Sequence, residues 1–214
     1  MLGEHSVVYG APALGFPLER SIDVRIGPGS GHINLSSADD VDIPAPGDAA
    51  SPREIVEHAM GSWMPKKDIA IHFGFPPMSG FGSSAALALA LQRGRAALET
   101  RQPAAGEEMM RKLLSVERVA HAKPSGVDPA ICLADGLIQF RRENGKGKPE
   151  VNSLVPAKPL HFLIGTIGAH GGARRTVSRV AEMKKQSPPM VKAAMAALGE
   201  AASTGARAVK KGDL

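Results

Sequence analysis

The sequence predicts an α+β fold, and three observations carry that prediction. Apolar residues alternate with polar ones at Ile22, Val24 and Ile26 and again at Ile69, Ile71 and Phe73, the period of a strand with one buried face. Helical stretches run over 83–100, 107–121 and 188–211. Glycine-rich corners at 80–82 and 168–172 join strands to helices. A chain of 214 residues with 43% hydrophobic content can bury one core, or one domain and part of a second.

Taken in order, Val7, Val8 and Tyr9 read as a short strand closed by Gly10, Ala11 and Pro12. The alternating stretches at 22–26 and 33–35, separated by Gly27-Pro28-Gly29-Ser30-Gly31, read as a hairpin. Residues 36–51 are mostly Asp, Ala, Pro, Gly and Ser, the composition of a surface loop or flap. A short helix is predicted over 52–60 with Ile55, Val56 and Ala59 inside, and a strand over 69–73 leads into the glycine loop at 76–86. The helix after the loop is apolar nearly all round from Ala85 to Leu91, so it should be buried. After a break at 102–106, the helix at 107–121 carries a stripe of Met110, Leu113 and Leu114, and Pro124 ends it. Residues 123–128 form a tight turn that projects one acid, strands follow at 136–140 and 160–167, and a helix spans 173–185. Pro188 and Pro189 open the last helix in its first turn.

Composition narrows the function classes. The net charge of +5 is scattered over pairs such as Arg93/Arg95, Arg141/Arg142 and Lys210/Lys211, with only six Phe, one Tyr and one Trp to stack bases, so no nucleic-acid partner is expected. The single cysteine, Cys132, excludes an internal disulfide and reads as a small buried hydrophobe. No run approaches a membrane span and no secretory signal is visible, so no membrane partner is expected and the cytoplasm is the expected location. His58, His72 and His161 show no partner in the sequence and read as surface or strand residues.

Two features carry chemistry. In the loop Ser79-Gly80-Phe81-Gly82-Ser83-Ser84, the glycines let backbone N–H groups approach a ligand, and the helix beginning near Ser83 turns its positive end to the same place. Ser83 and Ser84 can cap that helix, or hold a phosphate oxygen or Mg²⁺. The loop alone reads equally well as ordinary cap chemistry. No Lys follows the glycines, which excludes a Walker loop, and their spacing differs from the dinucleotide fingerprint. The second feature is Glu117, three and four positions after Leu114 and Leu113 and therefore on the apolar face. A carboxylate there is costly unless a cation, a metal or a donor meets it. Periodicity alone favours pairing with Arg118 or another basic residue over a metal.

Four separated motifs, in order, resemble the GHMP small-molecule kinases, and within them the mevalonate kinases. Gly3-Glu4-His5-Ser6-Val7-Val8-Tyr9-Gly10-Ala11-Pro12-Ala13 is similar to the family's N-terminal signature, residues 76–86 to its phosphate loop, and residues 117–128 to the segment in which a metal-binding Glu precedes a catalytic Asp. The stretch at 164–177, with Thr176, resembles the start of the second domain. The resemblance implies a two-domain GHMP-kinase fold: an N-terminal β/α domain at 1–157 lacking its first strand, and a partial ferredoxin-like C-terminal domain at 158–214. It implies ATP as co-substrate over Ser79, Gly80, Phe81, Gly82, Ser83 and Ser84, with Mg²⁺ held by Ser84 and Glu117. Asp128 would face the acceptor alcohol as general base or orienting group, with Glu4, His5 and Thr176 around the substrate. The implied reaction is ATP-dependent phosphorylation of the primary alcohol of mevalonate to 5-phosphomevalonate, in isoprenoid synthesis. Its partners are then ATP and mevalonate, and a homodimer is the assembly often met in the family.

Two departures accompany the match. The family's Lys, one strand before the Gly-Glu-His motif, has no counterpart, since Met1 stands two residues before Gly3, and the late glycine-rich motif is missing as well. An absent first strand should leave an unpaired strand edge and exposed apolar surface. A chain cropped at both ends, a binding-only relative and a minimal kinase are the three explanations. The rival functions are an inactive nucleotide-binding fragment or regulator, and another GHMP kinase acting on phosphomevalonate or homoserine.

Overall fold

The computed structural model describes residues 2–3, 6–19, 21–38, 51–75, 77, 80–120, 124–143, 147–164 and 172–213, with side chains for all of these except 120 and 172–176. Its regular elements are β1 (Ala13–Gly15), β2 (Ile22–Pro28), β3 (Ile33–Ser37), α1 (Pro52–Met60), β4 (Lys67–Phe73), α2 (Ser83–Leu98), α3 (Gly106–Ala120), α4 (Val127–Leu133), β5 (Ile138–Arg141), β6 (Glu150–Ser153), α5 (Gly172–Gln186) and α6 (Pro188–Lys211). Short 3₁₀ turns at Ser6–Tyr9 and Gly61–Lys66 complete them. Helix and sheet are mixed as the sequence predicts. The chain divides into two compact units, one of residues 1–17, 123–166 and 175–214, the other of residues 18–122 and 167–174.

The second unit is a sheet covered by helices. β4 is its central strand, antiparallel to β2 from Ile22↔Phe73 to Pro28↔Lys67 and parallel to β3 from Ile33↔Ile69 to Ser37↔Phe73. Ile69, Ile71 and Phe73 are at most 1% exposed while Ala70 and His72 face solvent, so period-two alternation sets which face is core. α2 packs on β2, and α1 and α3 pack on α2 and on each other. Gly94 permits the α2–β2 approach, because a Cβ there would lie 2.9 Å from Ile26 Cδ1. α1 opens on a capping box in which Ser51 accepts from the Glu54 N–H and Glu54 accepts from the Ser51 N–H, with Pro52 in the first turn.

The hairpin expected from residues 22–35 does not form. β2 and β3 lie on opposite sides of β4, so the connection between them must span two strand spacings, about 10 Å, and arch past the start of β4. Asp68 holds that arch: its Oδ1 accepts from Ser30 N at 2.9 Å and His32 N at 3.0 Å. Alternation identifies strands but not their neighbours, and the most buried strand takes the middle place. The His32 and Ser30 amides hold the Asp68 carboxyl below its ordinary range. The carboxylate's contribution to stability is therefore complete above the unfolded value, roughly pH 4, and is lost as pH falls through the lower folded value. The melting-temperature gap between the native chain and Asp68→Asn should be open at pH 7 and should narrow below about pH 4. A pH-independent gap would contradict the role given to Asp68.

The first unit carries an antiparallel sheet, β1-β5-β6, paired from Ala13↔Phe140 to Gly15↔Ile138 and from Ile138↔Ser153 to Arg141↔Glu150, with Leu2 bridged to Leu14. α6 packs across β1 and the 3₁₀ turn at Ser6–Tyr9. Leu14, Leu137, Leu154, Ala202, Ala206 and Val209 form the core between them. The strand expected at 7–9 is this 3₁₀ turn instead. Val7 N donates to Gly3 O at 3.0 Å, Gly10 N to Val7 O at 3.1 Å and Ser6 Oγ to Gly3 O at 3.0 Å, so local bonds between glycines override the β-branched preference.

Residues 160–164, the described part of an expected strand, are irregular. Leu160 packs on the core and Phe162 stacks on Phe16 at 4.6 Å, while Leu163 is fully exposed. Side chains hold this segment in place of a ladder, and the third strand is β6, whose polar sequence gave no signal. Cys132, expected to be buried, is half-buried on α4. Among the described residues no helix is long and apolar enough to cross a membrane.

Candidate active site

β4 delivers the chain to the glycine loop through a tight exit. Gly74 N donates to Ser21 O at 2.9 Å, and a Cβ on Gly74 would itself lie 2.9 Å from that carbonyl oxygen. Phe75 and Pro77 are then buried, and the chain rises to an exposed Gly80. Gly80 has φ 84° and Gly82 has φ 69°, left-handed values that favour glycine. At Gly80 a Cβ would meet nothing within 4 Å, so backbone conformation and not lack of space explains the glycine.

Gly82 is the N-cap of α2 and supplies no side chain to it. The first helical bond runs from Ala86 N to Gly82 O at 3.1 Å, which leaves the N–H groups of Ser83, Ser84 and Ala85 ahead of the intrahelical ladder. These amides, the dipole of a 16-residue helix and the half-buried hydroxyl-bearing residues Ser83 and Ser84 suit an anion. Burial of Ala85, Leu87, Ala88, Leu89 and Leu91 anchors the helix, as its apolar sequence predicts.

α3 packs beside α2 in the same unit. Its buried face is Met109, Leu113, Val116 and Glu117, with Met110 and Leu114 half-buried, so the apolar stripe is rotated slightly from the expected one. Glu117 stays inside it at 3% exposure, while Arg118 is exposed. Glu117 takes part in an interaction within the chain. Among the described residues no three His, Cys, Asp or Glu side chains gather into a metal cluster. Mg²⁺ does not ask for one: it takes one or two carboxylates and completes its shell with phosphate oxygens and water. The hard oxygen donors of Glu117 and Ser84 fit that chemistry.

Asp128 belongs to the other unit and lies in the first turn of α4 rather than in a bare turn. Gly126, φ 84°, is the N-cap, and Ser125 Oγ accepts from Val127 N at 3.3 Å. From the end of β5, Arg142 donates to Ser125 O at 3.4 Å and to Gly147 O at 3.1 Å, tying the turn to the strand. Asp128 is half-buried and has its own interaction within the chain.

The structure thus gathers Gly80, Phe81, Gly82, Ser83, Ser84 and Glu117 into one unit and places Asp128 in the other. Glu4, His5 and Ser79 lie outside the described residues, and Thr176 falls within α5. Sequence reading missed the supports: Phe75 beneath the loop and Arg142 behind the Asp128 turn. Two histidines read as partnerless have partners, His58 Nε2 with Ser115 Oγ at 3.0 Å between α1 and α3, and His72 Nδ1 with Ser36 Oγ at 3.0 Å between β4 and β3.

Comparison with known proteins shows what the chain is similar to. The description "GHMP kinases N terminal domain" matches residues 52–136, the stretch from α1 through the loop, Glu117 and Asp128. A mevalonate kinase of Aeropyrum pernix is 28% identical over 193 residues, covering 84% of this chain and 58% of its own length. One of Pyrococcus horikoshii is 27% identical over 222 residues, covering 94% and 64%. The chain therefore spans less than two thirds of the length of these curated relatives. Among solved structures, L. major mevalonate kinase in complex with R-mevalonate superposes with a TM-score of 0.66 at 22% identity, covering 98% of this chain and 66% of that one. Streptococcus pneumoniae phosphomevalonate kinase in complex with phosphomevalonate and AMPPNP gives 0.62 at 13% identity, covering 97% and 70%. These structures speak to the fold, and the four ordered motifs agree with it. Residues 52–136 are thus similar to the N-terminal domain of the GHMP kinases, and the chain as a whole is similar to curated mevalonate kinases.

Proposed function

We propose that the chain carries the Mg-ATP and acceptor machinery of a mevalonate kinase, transferring the γ-phosphoryl group of ATP to the primary alcohol of mevalonate. The observation that carries the reading is the glycine loop at the N-terminus of α2 packed in one unit with the buried Glu117 of α3. In this reading Ser79, Gly80, Phe81, Gly82, Ser83 and Ser84 wrap the phosphates, with backbone amides meeting the charge. Ser84 and Glu117 hold Mg²⁺, which when bound neutralises phosphate charge. Asp128 accepts the hydroxyl proton or orients the hydroxyl for in-line attack, and Glu4, His5 and Thr176 contact the substrate. Phosphoryl transfer asks the protein chiefly for such positioning and charge. The domain division at 157/158, a homodimeric assembly and a cytoplasmic location belong to the same proposal.

The relatives named mevalonate kinase favour mevalonate among acceptors. A panel of mevalonate, phosphomevalonate and homoserine in an ADP-release assay tests it, with mevalonate expected to give the highest kcat/KM. Equal or better turnover of another acceptor would reassign the substrate. ATP binding without turnover of any acceptor would assign a nucleotide-binding role instead.

A further inference from the structure

Three phenylalanines link the end of the central strand to the glycine loop. Phe73 closes β4 at 1% exposure and meets Phe75 edge-on, with centroids 6.4 Å apart at 76°. Phe75, 7% exposed, meets Phe81 edge-on at 5.8 Å and 70°. Phe81 stands between Gly80 and Gly82, both in left-handed conformation and neither with a side chain to anchor it. The loop tip is thus tied to the core of its unit through the Phe81 ring, which rests on Phe75, which rests on the strand. Edge-to-face pairs have a preferred geometry as well as buried area, so this contact restrains the height and tilt of the loop.

We infer that the Phe75–Phe81 pair is a brace that sets where the N–H groups after Gly80 sit, making Phe75 a positioning residue for phosphate binding although it touches no ligand. This rests on reading the loop as the ATP phosphate loop. A brace of this kind has a distinct signature. It should act on the phosphates and not on the nucleoside, and it should need both rings, so that removing either forfeits the whole benefit. General loosening of the unit would lower affinity for every part of the nucleotide and would make the two substitutions add.

The test uses the full 214-residue chain as wild type, Phe81→Leu, Phe75→Leu and the double variant. Dissociation constants for Mg-ATP and for adenosine are measured by titration calorimetry, with melting temperatures alongside. Each single variant is expected to weaken ATP about threefold to tenfold, the double variant no more than either single one, and adenosine affinity should not move. Phe81 is half-buried, so Phe81→Leu keeps the test open if Phe75→Leu fails to fold. ATP affinity within twofold of wild type in Phe81→Leu, equal losses for ATP and adenosine, or additive losses in the double variant would each overturn the brace while leaving the phosphate loop intact. A wild-type chain that does not bind ATP would overturn the loop reading and the brace with it.

Discussion

Glu117→Gln is expected to weaken Mg-ATP about a hundredfold while leaving the fold intact. Glu117 is 3% exposed in a face otherwise made of Met109, Leu113 and Val116. Glutamine matches it in shape and keeps a hydrogen-bonding oxygen, so the substitution removes charge with little change in packing. A buried carboxylate kept for a cation loses function on that change, and a charge-stabilising group is commonly worth about 10²–10³ in rate. If the carboxylate instead serves a structural ion pair, its loss leaves a buried charge unmatched and costs about 3–5 kcal/mol of stability. The two roles separate in paired measurements: the melting temperature in EDTA, and the affinity for ATP with and without Mg²⁺. A large fall in melting temperature with Mg-ATP affinity retained would assign Glu117 to structure.

The second large effect is expected at Asp128. Asp128→Asn should lower kcat for mevalonate-dependent ADP release by about 10²–10⁴, the usual contribution of a positioned general base. KM for ATP should hardly change, because the phosphates are assigned to the other unit's loop. The α4 cap should survive, since Gly126 and the Ser125 Oγ bond to Val127 N do not involve the carboxylate. A change in KM for ATP with kcat preserved would remove Asp128 from the acceptor side.

How far the sequence was legible depends on the range of the interaction concerned. α1, α2, α3, α5 and α6 sit close to their predicted spans because proline, caps and 3.6-residue periodicity are local signals. The burial of Glu117 was legible for the same reason, with α3 rotated only from Met110 to Met109. Strand partnership is not local, and there the reading failed: β2 and β3 look like a hairpin until β4 is seen between them, an arrangement held by Asp68 about forty residues away. Residues 160–164 show the converse, an apolar run that side-chain stacking holds without a ladder.

The residues proposed to carry chemistry stand out in the sequence because a phosphate loop would need glycine and a helix start in one short stretch. Their supports do not. Nothing in the spacing of Phe73, Phe75 and Phe81 distinguishes an aromatic brace from ordinary core, and Arg142 reaches Ser125 only because β5 returns beside α4.

The most direct test of the central claim, that the loop of α2 and Glu117 form a Mg-ATP site, is a calorimetric titration of ATP into this chain with Mg²⁺ and again with EDTA. The account predicts saturation at one equivalent that requires Mg²⁺ and is lost in Glu117→Gln. No binding, or binding indifferent both to Mg²⁺ and to that substitution, would contradict it.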